Sequence, residues 1–168
     1  FIVELMDHKA GWLTLEAGIA GGAEIILIPE IPYENKYIIR AIEKRNAAGK
    51  RFSILAVAEG AISKEDSLLT KKELKAKLAN RKYPSISYQL AEELQTALGQ
   101  EVRVTVPGHF QRGGSPCPFD RTLATRLGAA AAQLVINKNY GNMVALRGTD
   151  IVPVPLGEVA GKLKVVPK

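Results

Sequence analysis

AEIILIPEIPYENKYIIRAIEKRNAAGKRFSILAVAEG, residues 23–60, decides the fold class. Residues 23–29 form a run that is apolar except at Glu24, as expected of a strand buried on both faces. Residues 33–48 follow with Tyr37, Ile38, Ala41 and Ile42 at helical spacing, and Gly49 stops the helix. Residues 52–58 repeat the buried-strand pattern. A strand, a helix and a second doubly buried strand imply a right-handed crossover between parallel neighbours.

The same alternation extends outward. Residues 1–6 read as a strand, and residues 10–20 as a helix ended by Gly21 and Gly22. Ser63, with Asp66 three residues on, is expected to cap a Lys-rich helix. Leu90, Leu94 and Leu98 lie four apart in a helix over 87–98 ended by Gly99. Residues 102–106 alternate as a strand. Pro116 is placed to open a long helix, with Phe119, Leu123, Leu127, Ala131 and Leu134 or Val135 as its buried stripe. Short strands at 143–146 and 151–154 and a helix over 155–163 complete the reading. The predicted fold is α/β, with a mostly parallel sheet between two helical layers (αβα).

Composition narrows the function. The 168 residues are 46% hydrophobic and 24% charged, which excludes disorder, collagen and disulfide scaffolds. The single cysteine, Cys117, leaves no internal disulfide or cysteine-based zinc cluster and suits a reducing, cytoplasmic setting. No apolar stretch approaches the ~20 residues of a membrane helix. No leader pattern is visible, and a chain that opens on Phe1 in a strand reads as a segment of a longer protein. The net charge of +6 favours anionic partners. The basic runs at 40–51 and 71–82 lack interleaved aromatics, so nucleic acid is not expected.

Ligands of open α/β sheets bind beyond the carboxyl ends of the strands. The polar residues there are Met6, Asp7, His8 and Lys9, then Glu30, then Glu59-Gly60, then the run from Gly108 to Pro116. In that last run two glycines allow close backbone approach, and the helix behind it offers free N–H groups to a phosphate. Arg112 supplies a planar donor fork, and His109 donates or accepts near neutral pH. The plainer alternative is a tight turn with a surface arginine. Glu59 suits sugar hydroxyls or a salt bridge. Arg103 is an edge charge or an anion contact, and Glu30 an effector or metal contact or a strand-end ion pair. His8 and Lys9 are phosphate contacts or solvated turn residues. The sequence contains no P-loop, dinucleotide-binding or H-E-x-x-H motif, and two histidines make a poor metal site.

The run Gly108-His109-Phe110-Gln111-Arg112-Gly113-Gly114-Ser115-Pro116, followed by Phe119-Asp120-Arg121, resembles the signature of the phosphofructokinases. So do the stretches from Ala10-Gly11-Trp12 through Ala20-Gly21-Gly22 to Pro29-Glu30-Ile31-Pro32, then Ala58-Glu59-Gly60, and Val144 to Gly148. The resemblance covers essentially the whole chain, in order. It implies the C-terminal half of a two-domain, Rossmann-like enzyme that phosphorylates O1 of fructose 6-phosphate. The donor would be ATP or pyrophosphate with Mg2+, bound mainly by parts of the protein outside this chain.

By that resemblance, Glu59 binds sugar hydroxyls, Met6 contacts the sugar, and His109 and Arg112 hold the 6-phosphate. Arg103 reaches a neighbouring subunit's site in a homo-oligomer, a dimer or tetramer. Glu30, Lys50 and Arg51 loosely match effector positions. Residues 1–107 would form the sugar-phosphate domain, 108–154 would join the donor-side domain, and 155–168 would return. The family usually has Met-Gly-Arg where this chain has Met6-Asp7-His8. His8 is then the tentative catalytic substitute, with Lys9 as a second cation. The family's base lies outside the chain, so the chain alone is expected to be inactive. That departure supports an alternative: a non-catalytic regulatory or scaffolding subunit.

Overall fold

The computed structural model describes residues 1–167. The chain divides into two compact units. One comprises Phe1–Arg112 with the chain from Val165 onward; the other is Gly113–Lys164.

The larger unit carries one parallel sheet in the order β2-β3-β1-β4: β1 (Ile2–Leu5), β2 (Ile25–Leu27), β3 (Leu55–Ala58) and β4 (Val104–Thr105). β3 is central and buried throughout, which is why Leu-Ala-Val-Ala is apolar at every position. Neighbouring residues on a strand point to opposite faces. Leu27, Leu55 and Val57 therefore meet Ile38 and Ile42 of α2 (Asn35–Ala47) and Leu90 and Leu94 of α4 (Ile86–Leu98). On the other face lies α1 (Trp12–Ala20). A Cβ on its Gly18 would come within 2.7 Å of Ile26 and 3.2 Å of Ala56, so only glycine lets this helix sit so close. The αβα arrangement with a parallel sheet is thus present. The chain moves toward one edge behind α1 and returns behind α2 and α4, as a constant crossover hand requires.

Several local expectations are corrected. Ser63 does accept from the Asp66 amide, at 3.1 Å, but only one 3-10 turn follows. The Lys-rich helix α3 (Lys71–Ala79) starts at Thr70, where Thr70 and Glu73 form a reciprocal capping box. The longer glutamate reaches back to the cap amide, which completes the box. The strand expected over 102–106 shrinks to Val104–Thr105, because the Val102 amide turns to Gln95 Oε1 and β4 is an edge strand paired on one side only.

In the smaller unit, α5 (Pro118–Ile136) opens on Pro118, not Pro116. It packs on a hairpin of β5 (Asn142–Arg147) and β6 (Asp150–Pro155), turned at Gly148-Thr149. Its expected buried stripe is only partly covered: Leu123, Leu127, Ala131 and Leu134 are half-buried, while Phe119 and Val135 are exposed. A two-stranded hairpin is too narrow to bury a helix face. The last expected helix is the single turn α6 (Leu156–Val159).

Candidate functional site

β1 and β3 are adjacent and parallel, so Leu5-Met6-Asp7-His8 and Ala58-Glu59-Gly60 leave the sheet side by side. The Glu59 amide donates to Leu5 O and the Gly60 amide to Asp7 O, each at 2.9 Å. A Cβ on Gly60 would fall 2.0 Å from the His8 carbonyl oxygen, so glycine is required for this approach. β4 flanks β1 on its other side. Its exit, the 3-10 turn Gly108–Arg112, is tied back by Gln111: Gln111 Oε1 accepts from the Met6 amide at 3.2 Å, and Gln111 Nε2 donates to Gly108 O at 3.1 Å. Gly108 has φ +55°, which a glycine adopts freely.

The structure thus gathers Met6, His8, Glu59, His109 and Arg112 at one sheet edge. Met6 is half-buried and the other four are exposed. Glu59 has no ion-pair partner among the described residues, so the salt bridge considered for it is not formed. His8, Glu59 and Gly60 line a cleft of about 700 Å³ whose far wall comes from α3 and the segment joining it to α4.

Asp7 is buried, and its carboxylate turns away from this cleft. Its Oδ2 accepts from the Thr14 amide in the first turn of α1, whose N-cap, Gly11, has no side chain to offer. Glu4, also buried, does the same for α4, accepting from the Ser87 amide at 3.3 Å.

The remaining candidates lie elsewhere. Arg103 precedes β4 at the amino edge of the sheet, exposed and paired with Glu101 at 2.9 Å. The pair holds the Glu101 carboxyl below, and the Arg103 guanidinium above, their ordinary values. Lys50 and Arg51 are exposed ahead of β3, also at the amino edge, whereas Glu30 follows β2 at the carboxyl edge, so these three are not brought together. Glu30 is not in an ion pair either. It accepts from the Gly11 amide at 3.1 Å and the Val166 amide at 2.9 Å. Burial alone would raise its pKa, but these amide bonds more than offset that and leave it lowered. The phosphate role expected of the long helix start also changes. The first turn of α5 carries Asp120, whose carboxylate accepts from the Cys117 amide, so a negative charge already meets those N–H groups.

Sequence reasoning missed Gln111 and Asp7 as local organisers and the α3–α4 segment as a cleft wall. The Thr70-x-x-Glu73 box was a visible signal for α3; nothing local pointed to the other two.

A family model described as Phosphofructokinase matches residues 1–135. The chain belongs to the phosphofructokinase family. It is 55% identical to an ATP-dependent 6-phosphofructokinase of Spirochaeta thermophila over 99% of its length, and 46% identical to one of Propionibacterium freudenreichii, also over 99%. Those matches take in 45% and 49% of the relatives, so this phosphofructokinase chain spans about half their length. Among solved structures it resembles Pichia pastoris phosphofructokinase in the T-state (TM-score 0.70, 36% identity), covering 94% of this chain and 17% of that one. A pyrophosphate-dependent phosphofructokinase of Marinobacter aquaeolei shares the fold (TM-score 0.73, 24% identity), over 99% of this chain and 41% of that one.

Proposed function

We propose that this chain is the sugar-phosphate half of a 6-phosphofructokinase, which transfers a phosphoryl group from ATP or pyrophosphate to O1 of fructose 6-phosphate. The observation that carries this reading is the Met6–Gln111 bond, which supports placing the turn that bears His109 and Arg112 beside the Glu59 edge. In this reading the Arg112 fork and His109 hold the 6-phosphate. Glu59, unpaired, accepts from sugar hydroxyls, and Met6 supplies apolar contact. His8 adds positive charge near the transferring group when protonated. Asp7, bound to Thr14, adds no free carboxylate there.

Arg103, at the opposite edge, serves the site of a neighbouring subunit in a homo-oligomer. Residues 1–107 act as the sugar-phosphate domain, 108–154 contribute to the donor side, and 155–168 return. Among the described residues no group of three or more His, Cys, Asp or Glu is placed to hold a metal ion, and no step here is routed through Mg2+. Phosphoryl transfer rests on positioning and charge stabilisation, and this half supplies the acceptor's share of both.

The test is fructose 6-phosphate affinity of the full-length protein before and after Arg112→Ala. Losing a charge-assisted phosphate contact costs about 1.5–3 kcal/mol, roughly ten- to a hundredfold in affinity. Unchanged affinity would remove the reading. The departure at Asp7-His8 favours a second reading, a non-catalytic regulatory or scaffolding subunit; turnover with either donor removes it.

A further inference from the structure

Three cations line the cleft that holds His8 and Glu59: Lys77, Arg81 and Lys82. All come from the end of α3 and the segment that leads into α4. Leu74, Lys77 and Leu78, at helical spacing, form the face of α3 that lines the cleft, whereas Lys71, Lys72 and Lys75 do not line it. The cations lining it differ in one respect. Lys77 is paired with Asp66 at 2.5 Å, and Lys82 with Glu92 at 3.2 Å. Arg81 has no acidic or hydrogen-bond partner among the described residues.

The segment is anchored at both ends. The Lys77–Asp66 pair fixes its start. Its end is fixed where the buried Glu4 carboxylate accepts the Ser87 amide in the first turn of α4. An unpaired guanidinium is thereby presented at the wall of a cleft that also carries a free carboxylate and a free imidazole.

A guanidinium offers five donors in a planar fork that matches phosphate oxygens and is weakly hydrated. Lys77 and Lys82 are each held toward a carboxylate, whereas the Arg81 guanidinium is not. Arg81 is therefore the fixed positive charge the cleft keeps available.

We infer that Arg81 is a specificity-determining contact for the phosphate-bearing acceptor that enters the Glu59–His8 cleft. The inference rests on the functional reading above and adds to it a cation from a segment that the family signature does not include. Arg81 raises affinity for phosphorylated acceptors over the free sugar.

The test is calorimetric binding of fructose 6-phosphate to the full-length protein, for wild type and for the variants Arg81→Gln, Arg81→Lys, Lys82→Gln and Arg112→Ala. Arg81 is exposed and unpaired, so its variants are expected to unfold at the wild-type temperature. The expected result is a loss of about tenfold for Arg81→Gln, a smaller loss for Arg81→Lys and less than twofold for Lys82→Gln. Equal losses for Arg81→Gln and Lys82→Gln would overturn the inference, because general basicity would then suffice. No loss for Arg81→Gln while Arg112→Ala abolishes binding would overturn it and leave the functional reading standing. No binding by wild type would remove both.

Discussion

The Asp7 Oδ2 atom accepts a hydrogen bond from the Thr14 amide at 2.5 Å, so a residue at the end of β1 caps the first turn of α1. Gly11 occupies the N-cap without a side chain, and the carboxylate also meets the positive end of the helix. Asp7→Ala is expected to destabilise the protein by roughly 1–2 kcal/mol, the usual cost of a lost cap. Asp7→Asn, which keeps an acceptor oxygen, should lose less. Urea denaturation of the full-length protein checks the order; equal stability of all three forms would refute the capping role.

Gly60 lies against the His8 backbone, where an added Cβ would sit 2.0 Å from a carbonyl oxygen. Backbone cannot yield as a flexible side chain does, so Gly60→Ala should push β1 and β3 apart at their carboxyl ends. We expect a loss of about 2 kcal/mol or more, read as a lowered unfolding midpoint, together with weakened fructose 6-phosphate binding.

Gln111 bridges the Met6 amide and Gly108 O without any role in holding charge. Gln111→Ala removes two neutral hydrogen bonds, each worth about 0.5–1.5 kcal/mol. The 109–112 turn should then lose its register with β1. The expected signature is a higher KM for fructose 6-phosphate together with an unfolding temperature lowered by a few degrees. A fall in kcat at unchanged KM would contradict this positioning role.

Glu30 is held below its ordinary pKa of 4.5 in the folded protein by the Val166 and Gly11 amides. A folded-state pKa below the unfolded one adds stability at pH above the unfolded value, and that stability is lost as pH falls through the folded value. Glu30→Gln cannot ionise. Wild type should therefore exceed this variant in stability at pH 7, and the gap should narrow below pH 4.5. A gap that widens in acid would reverse the assignment.

Much of this was legible in the chain. The apolar run ending at Ala58 marks the doubly buried β3 and the Leu90-Leu94 spacing a one-sided helix, because burial on both faces leaves an unbroken apolar run and burial of one helix face a period of 3.6; the run ending at Pro29 instead became β2, a half-buried edge strand. The cradle candidates His109 and Arg112 were readable because they sit in one contiguous turn. Less was legible at the helix starts. Ser63, Thr70, Pro116 and Pro118 all carry start signals, and the completed Thr70–Glu73 and Cys117–Asp120 boxes decided between them. Glu30 read as a strand-end charge, and the approach of Gly11 and of Val166, 19 and 136 residues away, gave it amides in place of a cation.

The amino-acid sequence by itself determined the alternation of strand and helix, the doubly buried β3 and the polar turns after each strand, since these depend on spacing within a few residues. Tertiary structure alone decided the order β2-β3-β1-β4, the turning of Asp7 toward α1, and the placing of Gln111 against Met6 across 105 residues. The reason is physical. Periodicity records which side of an element is buried, but not which distant element buries it; that choice belongs to packing and crossover hand, which act only when the whole sheet assembles.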